Sequence, residues 1–364
     1  MKKLLILENG AVFAGTGFGG LGSCRGEVVF TTGLTGYQQA ITDQSYVNQI
    51  LVFTNPLIGN YGVNLNDMEA LQPACAGVIC HRVARVSDNW RQSATLPEFL
   101  KEWSVPGITG VDTRALTKIL REYGTLKGKI IDAEDLHDPE AHLIELQNEQ
   151  LNGQLAYQVT TDHKYLVPGD GYNVVLVDLG AKESILRELT ARGCNVIVVP
   201  ASVTAGQINQ IHPDGILLSN GPGDPASLVG VINMVEQVQD KYPIFGICLG
   251  HQILALANGA QTVKMHFGHR GFNHPVRNLQ TKKTFFTSQN HGYVVDEQSI
   301  DPERIAVTYK EINDGTIEGI KIKDHPAFSV QFHPDAAPGP HDASRLFDHF
   351  IQLMVKEKEG VVHA

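Results

Sequence analysis

The chain has no hydrophobic run long enough to cross a bilayer. After Met1-Lys2-Lys3 the first apolar stretch ends at Leu7, too short for a signal h-region or a spanning helix, so a cytoplasmic protein with no membrane partner is expected. Positive charge is scarce: 29 Lys and Arg stand against 39 Asp and Glu, a formal net charge of −10, with no basic stripe anywhere. That excludes a protein living on nucleic acid phosphates and points to small molecules or proteins as partners. Cysteine is sparse too. The five (Cys24, Cys75, Cys80, Cys194 and Cys248) are an odd number without a CxxC pair, which argues against a disulfide framework and a structural zinc site and leaves reduced thiols, one of them reactive. No Walker-type G-x-x-x-x-G-K-[ST] sequence is present, so no ATP site is expected in this chain.

What is present is the make-up of a folded protein. Hydrophobic residues are 42% and charged residues 19% of 364, enough for a core in each of two domains. The opening LLILENGAVFAG places Asn9-Gly10 between apolar runs, predicting a hairpin with a type I′ turn. Segments 28–32, 50–55 and 76–83 read as strands and 95–103 and 113–123 as helices, so residues 1–150 form a smaller mixed β/α domain. A polar, acidic stretch ending in Pro168-Gly169-Asp170-Gly171 marks 151–170 as a linker. Beyond it NVVLVDLG, SILRELTARG and CNVIVVP read as strand, helix and strand, a right-handed βαβ unit. The alternation continues, predicting over 171–364 an α/β domain with a mostly parallel sheet flanked by helices.

Within PIFGICLGHQILALA a buried strand runs into Cys248 and a helix follows, which is the form of a nucleophile elbow with Cys in place of Ser. A thiol at a helix N-terminus is favoured as thiolate by the helix partial charge. The plain alternative is a core cysteine. A thiolate nucleophile needs a proton shuttle, and FSVQFHPD supplies His333 at the end of a late strand, with Asp335 two residues on and therefore on the same face of an extended chain, able to hold the imidazole from behind. The loop SNGPGDP follows another strand and would lie beside the elbow, where Gly221 and Gly223 leave N–H groups uncovered for an oxyanion, shared with the N–H of Leu249.

These strings, GICLGHQ, LSNGPGDP, SQNHGYVV and QFHPDAAPGPHD, together resemble the class I (triad) glutamine amidotransferases over about 170 to 360. In the first half LENGAVFAGTGFG, GEVVFTTGLTGYQQAITDQSY and GVDTRALTKILREYGTLKG resemble the carbamoyl-phosphate synthase small chains. The resemblance implies a Cys248, His333, Asp335 triad that hydrolyses L-glutamine through a γ-glutamyl thioester. It further implies that Ser45, Gly221, Gly223, Leu249, Gln252, Asn290, Gly292 and Tyr293 hold the substrate. The implied partner is a large synthetase subunit carrying ATP and its metal ion and making carbamoyl phosphate from bicarbonate for arginine and pyrimidine synthesis, with the first domain docking on it. At position 335 the chain departs from the pattern, since the family usually has Glu; the shorter Asp335 reaches His333 only after a small strand shift. Rival readings are a regulatory subunit with a degraded triad, a glutaminase serving another synthase, and a stand-alone cysteine hydrolase of γ-glutamyl peptides.

Two signals point elsewhere. Residues 15–20 fit G-x-G-x-x-G, but a strand-like EVVF follows instead of a helix, so a tight glycine turn is the better reading. His266, His269 and His274 match no helical ligand spacing, and thiolate chemistry requires no metal, so no metal site is assigned. His251, one turn after Cys248, reads as part of the helix packing.

Overall fold

The computed structural model describes residues 1–150 and 152–362, in two compact units, Met1–Asn152 and Gly153–Ala364. In the first, β1 (Lys2–Leu7), β2 (Val12–Gly19), β3 (Cys24–Thr31), β4 (Gln49–Phe53), β5 (Gly77–Cys80), β6 (Pro106–Thr109) and β7 (Leu126–Asp132) close into a barrel in the order β1-β2-β6-β5-β4-β3-β7. β3 to β6 run parallel and the remaining pairs antiparallel. Alternation sorts the side chains: Leu5, Leu7, Val28, Ile50, Val52, Ile79, Ile108 and Ile130 fill one core, while Leu51, Phe53, Val78 and Cys80 pack in another. The second core takes its cover from α1 (Tyr37–Thr42) and α2 (Leu96–Glu102), and α3 (Thr113–Tyr123) adds Leu116 and Leu120 to the first. Thr95 caps α2 in a reciprocal capping box with Glu98, and Asp112 caps α3. α4 (Pro139–Asn148) lies against β1 and β7 through Leu143 and Leu146.

Two local expectations are corrected here. In the β1–β2 hairpin only Gly10 has positive φ, and Leu7 N–H bonds the Ala11 carbonyl at 2.9 Å; a type I′ turn needs positive φ at both centres, so the loop is the longer Gly-ended kind. The glycines at 15 and 17 are not a turn but part of β2, where a Cβ on Gly15 would strike the Thr109 carbonyl of β6.

The second unit is built on one ten-stranded sheet, in the order β14-β13-β15-β16-β17-β12-β11-β9-β10-β8. Its strands are β8 (Tyr165–Val167), β9 (Asn173–Asp178), β10 (Asn195–Pro200), β11 (Gly215–Leu218), β12 (Ile244–Ile247), β13 (Thr262–Asn278), β14 (Thr284–Val295), β15 (Ile305–Glu311), β16 (Ile317–Ile322) and β17 (Ala327–Val330). β10, β9, β11, β12 and β17 are parallel and buried, and the antiparallel strands extend the sheet on both sides. Of stretch 151–170, expected to be a linker, residues 152–170 instead carry α5 (Ala156–Val159) and the edge strand β8, which pairs antiparallel with Val196 to Val198 and leaves Tyr165 and Leu166 exposed.

Helices cover both faces. α7 (Ala205–Ile211), α8 (Val229–Val238) and α9 (Leu249–Ala257) pack with Val175, Val177, Ile216 and Leu218. On the other face α6 (Glu183–Ala191) and α10 (Arg345–Val362) pack with Val174, Leu176, Leu217 and Phe245. Successive residues of β9 thus enter opposite cores, which is why its sequence is apolar throughout. From β9 the chain passes to β10 on one side and then to β11 on the other, opening a crevice at the carboxyl ends of β9 and β11, beside β12. Among the described residues no helix is long and apolar enough to cross a membrane.

Candidate active site

Cys248 stands between β12 and α9 with φ 54° and ψ −103°, a backbone conformation that a non-glycine residue adopts only when its surroundings hold it there. Those surroundings are glycine. A Cβ on Gly246 would collide with the Gly250 carbonyl, and one on Gly250 with the Leu218 carbonyl of β11, so the turn lies against backbone on both sides. Cys248 N–H is fixed by the Val330 carbonyl at 2.9 Å and Gly250 N–H by the Ser219 carbonyl at 3.0 Å. The thiol lies 3.6 Å from the Asn290 carbonyl of β14 and is 2% exposed. The other four cysteines are raised by burial, to about 12 at Cys24, Cys75 and Cys80 and about 11 at Cys194, which keeps them protonated and slow toward electrophiles.

His333 follows β17 and is tied to β14 by its N–H, which donates to the Ser288 carbonyl at 2.8 Å. Burial disfavours its charged form, yet the Asp335 carboxylate and the neighbouring Cys248 sulfur outweigh that and push it up to about 10. Nδ1 is 3.4 Å from Asp335 Oδ1, an ion-pair distance at which neither atom completes a directed hydrogen bond. The reason lies on the other oxygen of the carboxylate. Oδ2 accepts from Lys182 Nζ and from Ser184 Oγ, each at 2.7 Å, and Lys182 Nζ also donates to the Ala337 carbonyl at 2.8 Å. Burial alone would raise Asp335, but the Lys182 ammonium and His333 hold it well below the usual carboxylate range.

Lys182 and Ser184 escaped the sequence reading. They sit in DLGAKES, where β9 turns into α6, and the signal that would have found them is position: a lysine at the carboxyl end of a parallel strand beside the crevice. The loop 219–225 lies next to this turn, with Leu179 N–H donating to Ser219 Oγ at 2.9 Å and Lys182 N–H to Asn220 Oδ1 at 3.1 Å. Gly221 packs against the Leu179 carbonyl and Gly223, with φ 100°, against the Gly153 carbonyl, both too closely for a side chain. Leu249 occupies the first position of α9, where a backbone N–H has no intrahelical acceptor.

On the far side of the thiol, Gln252 Nε2 donates to the Tyr293 carbonyl at 2.7 Å and to Gln331 Oε1 at 3.0 Å, tying α9 to β14 and to the segment after β17. Asn290, Gly292 and Tyr293 all lie on β14, and Gly292 packs against the Arg270 guanidinium of β13. The second unit therefore assembles ten of the eleven residues singled out from the sequence around one sheet edge. Ser45 belongs to the first unit, in a short 3₁₀ turn, where its N–H is held by Asp43 Oδ1 at 2.9 Å. His251 is fully buried with Nδ1 2.8 Å from Ser329 Oγ, and burial lowers it to about 3, so it stays neutral.

Residues 175–353 match the family model described as glutamine amidotransferase class-I, and residues 5–130 match that of the carbamoyl-phosphate synthase small chain, CPSase domain. A carbamoyl phosphate synthase small chain of Streptococcus agalactiae is 55% identical over 355 residues, covering 97% of this chain and 98% of that one. The small chain of Streptococcus pneumoniae is 54% identical over 99% of each chain. A pyrimidine-specific small chain of Lactiplantibacillus plantarum is 52% identical over 97% of this chain and 96% of that one. With both halves matched and the likeness running nearly end to end, the chain belongs to the carbamoyl phosphate synthase small chains, glutamine-hydrolysing subunits with a class-I amidotransferase domain.

Proposed function

We propose that Cys248 attacks the side-chain amide of L-glutamine, that the ammonia released is delivered to a large synthetase subunit, and that carbamoyl phosphate is formed there from bicarbonate and ATP. The observation that carries this reading is a strained thiol at a helix N-terminus beside a buried imidazole whose own carboxylate is anchored by Lys182. With the proton already resting on His333, whose cation Asp335 favours, the Cys248 sulfur bonds to the amide carbon. The resulting oxyanion is taken by backbone N–H groups of Leu249 and of the 219–225 loop, where a single such donor is worth roughly 3 kcal/mol in acyl transfer. His333 then protonates the departing nitrogen, leaving a γ-glutamyl thioester. Water, deprotonated by the now neutral His333, hydrolyses that thioester to glutamate, which frees the Cys248 sulfur and returns His333 to its protonated form. Asp335 touches no reacting atom in this scheme; it orients the ring and stabilises its cationic form.

By the same reading Gln252, Asn290, Gly292 and Tyr293 of the second unit and Ser45 of the first bind the substrate, and ATP and its metal ion belong to the partner. Supply of arginine and pyrimidine synthesis, and a cytoplasmic location in keeping with five unpaired thiols, complete it. The regulatory alternative draws on the 3.4 Å gap between His333 and Asp335, which a degraded triad would share. Ammonia release from glutamine, measured on the chain with and without its synthetase subunit and after labelling by a glutamine-derived electrophile, separates them. Turnover with labelling confined to Cys248 supports the glutaminase; absence of both in the complex leaves the regulatory subunit.

A further inference from the structure

Under the strand that carries Asn290 lies a buried polar cluster that the scheme above does not use. His269 of β13 places Nε2 2.8 Å from Asp314 Oδ2, in the turn between β15 and β16, and Nδ1 3.0 Å from Gln289 Oε1 of β14. Glu318 Oε1 of β16 is 3.7 Å away, and the rings of His274 and His291 stand 4.8 Å and 5.1 Å off. Glu311 adds negative charge beyond Glu318, and Arg270 positive charge beside His291. Gln289 Nε2 donates to Glu318 Oε2 at 2.9 Å, which leaves Oε1 to accept from His269 Nδ1; His291 places Nε2 2.9 Å from the same Oε1 and Nδ1 2.9 Å from the Tyr293 carbonyl. An imidazole with the Asp314 carboxylate on Nε2, an amide oxygen on Nδ1 and Glu318 beyond is held as the cation: His269 is pushed up to about 10, burial opposing and Asp314 and Glu318 prevailing, while burial lifts Glu318 itself to about 7.

Gln289 is the hub. It lies between Ser288, whose carbonyl holds the His333 N–H, and Asn290, whose carbonyl meets the Cys248 thiol. The Glu318 carbonyl in turn accepts from the Gln331 N–H, on the stretch leading to His333. We infer that His269, bridging Asp314 and Gln289 beneath β14, is a positioning residue that sets the thiol and imidazole against each other through Gln289. The donor set His269, His291 and Glu318 could also close around a divalent cation, its ligand atoms lying within 4.8 Å of one another. Gln289 Oε1 already occupies the acceptor role between the two rings, so a proton on His269 Nδ1 and not a metal completes the cluster.

This inference rests on the glutaminase reading, and its test keeps the two apart. In the complex with the synthetase subunit, glutamine turnover is measured per alkylatable Cys248 for wild type, His269→Asn, Asp314→Asn and the double variant. The expected result is a kcat per site lower by about tenfold or more in each single variant, with the double variant no worse than His269→Asn alone, because both act through one bridge. Nitrogen-15 spectra of the full chain at pH 8 should show an imidazolium at His269, lost in Asp314→Asn. Asp314 is 40% exposed, so that variant folds even where His269→Asn does not. Turnover per site within twofold of wild type, a neutral His269, or one equivalent of metal bound by the full chain purified without its partner and lost in His269→Asn overturns the inference. A wild-type complex that releases no ammonia from glutamine sinks the glutaminase reading itself.

Discussion

The two units solve the sheet-edge problem in opposite ways, and the difference explains where chemistry can sit. The barrel of the first unit pairs every strand on both sides, so its hydrogen bonds are spent internally and its side chains fill two cores. The second sheet stays open, and because its strand order reverses next to β9, the loops after β9, β11 and β12 leave the sheet at one edge. Each of those loops brings a polar or reactive group: Lys182 and Ser184, the 219–225 loop, and Cys248. A closed barrel supplies stability and surface; an open parallel sheet supplies a crevice.

Changes in the crevice should silence the reaction without unfolding the barrel, and the largest expected effect is at the nucleophile. Cys248→Ser lowers glutamine hydrolysis by about 10⁴-fold or more while circular dichroism of both units is retained, since triad members act as one device. Lys182→Met comes next. It leaves the Asp335 carboxylate buried without its ammonium, costs about 3–5 kcal/mol in chemical denaturation of the second unit, and lowers kcat at least tenfold. The same substitution at an exposed lysine of α2 in the first unit, Lys101, changes stability by about 0.5 kcal/mol or less.

An alkaline titration should separate the units. His333 and His269 have folded values near 10, above the ordinary histidine value, so the folded second unit binds more protons than the unfolded chain. Their contribution is complete below about pH 6.5 and is lost as pH rises through 10. The barrel's raised groups, Cys24, Cys75 and Cys80 near 12, begin to count only above about pH 8.5. Hydrogen exchange from pH 7 to 9 should therefore show the second unit loosening first; simultaneous loss would break the contrast. At the acid end Asp335 works the other way, stabilising above the ordinary Asp range and losing that effect as pH falls through its depressed value.

Smaller effects sharpen the picture. Asp335→Glu extends the carboxylate toward a ring nitrogen now 3.4 Å away, and kcat should rise or fall by no more than about threefold, because the group only orients the imidazole. Ser45→Ala tests whether the barrel touches substrate at all. A KM for glutamine raised about threefold at unchanged stability supports that role, and unchanged kinetics removes Ser45 from the binding set.

Legibility in the sequence followed the same division. The parallel strands announced themselves because burial on both faces leaves apolar runs such as NVVLVD and NVIVVP, and the elbow because only glycine fits at 246 and 250. Barrel closure was not legible. It depends on β1 pairing with β7 across more than a hundred residues, a register that no local pattern encodes. Lys182 was missed for a related reason: a lone lysine in a turn looks solvated until the fold brings Asp335, 153 residues away, onto it. The buried cluster around His269 was scanned as a row of histidines on one strand, whereas its partners come from β14, β16 and the turn before β16.

The glycine clamp around the elbow also limits what heredity can do with this chain. Gly221, Gly246 and Gly250 each face a carbonyl nearer than any methyl group tolerates. In a randomised library screened for growth on glutamine nitrogen, survivors should keep these three codons unvaried while the neighbouring Ile247 and Leu249 drift among aliphatics. Descent can trade the walls of the crevice, but not its hinge pins.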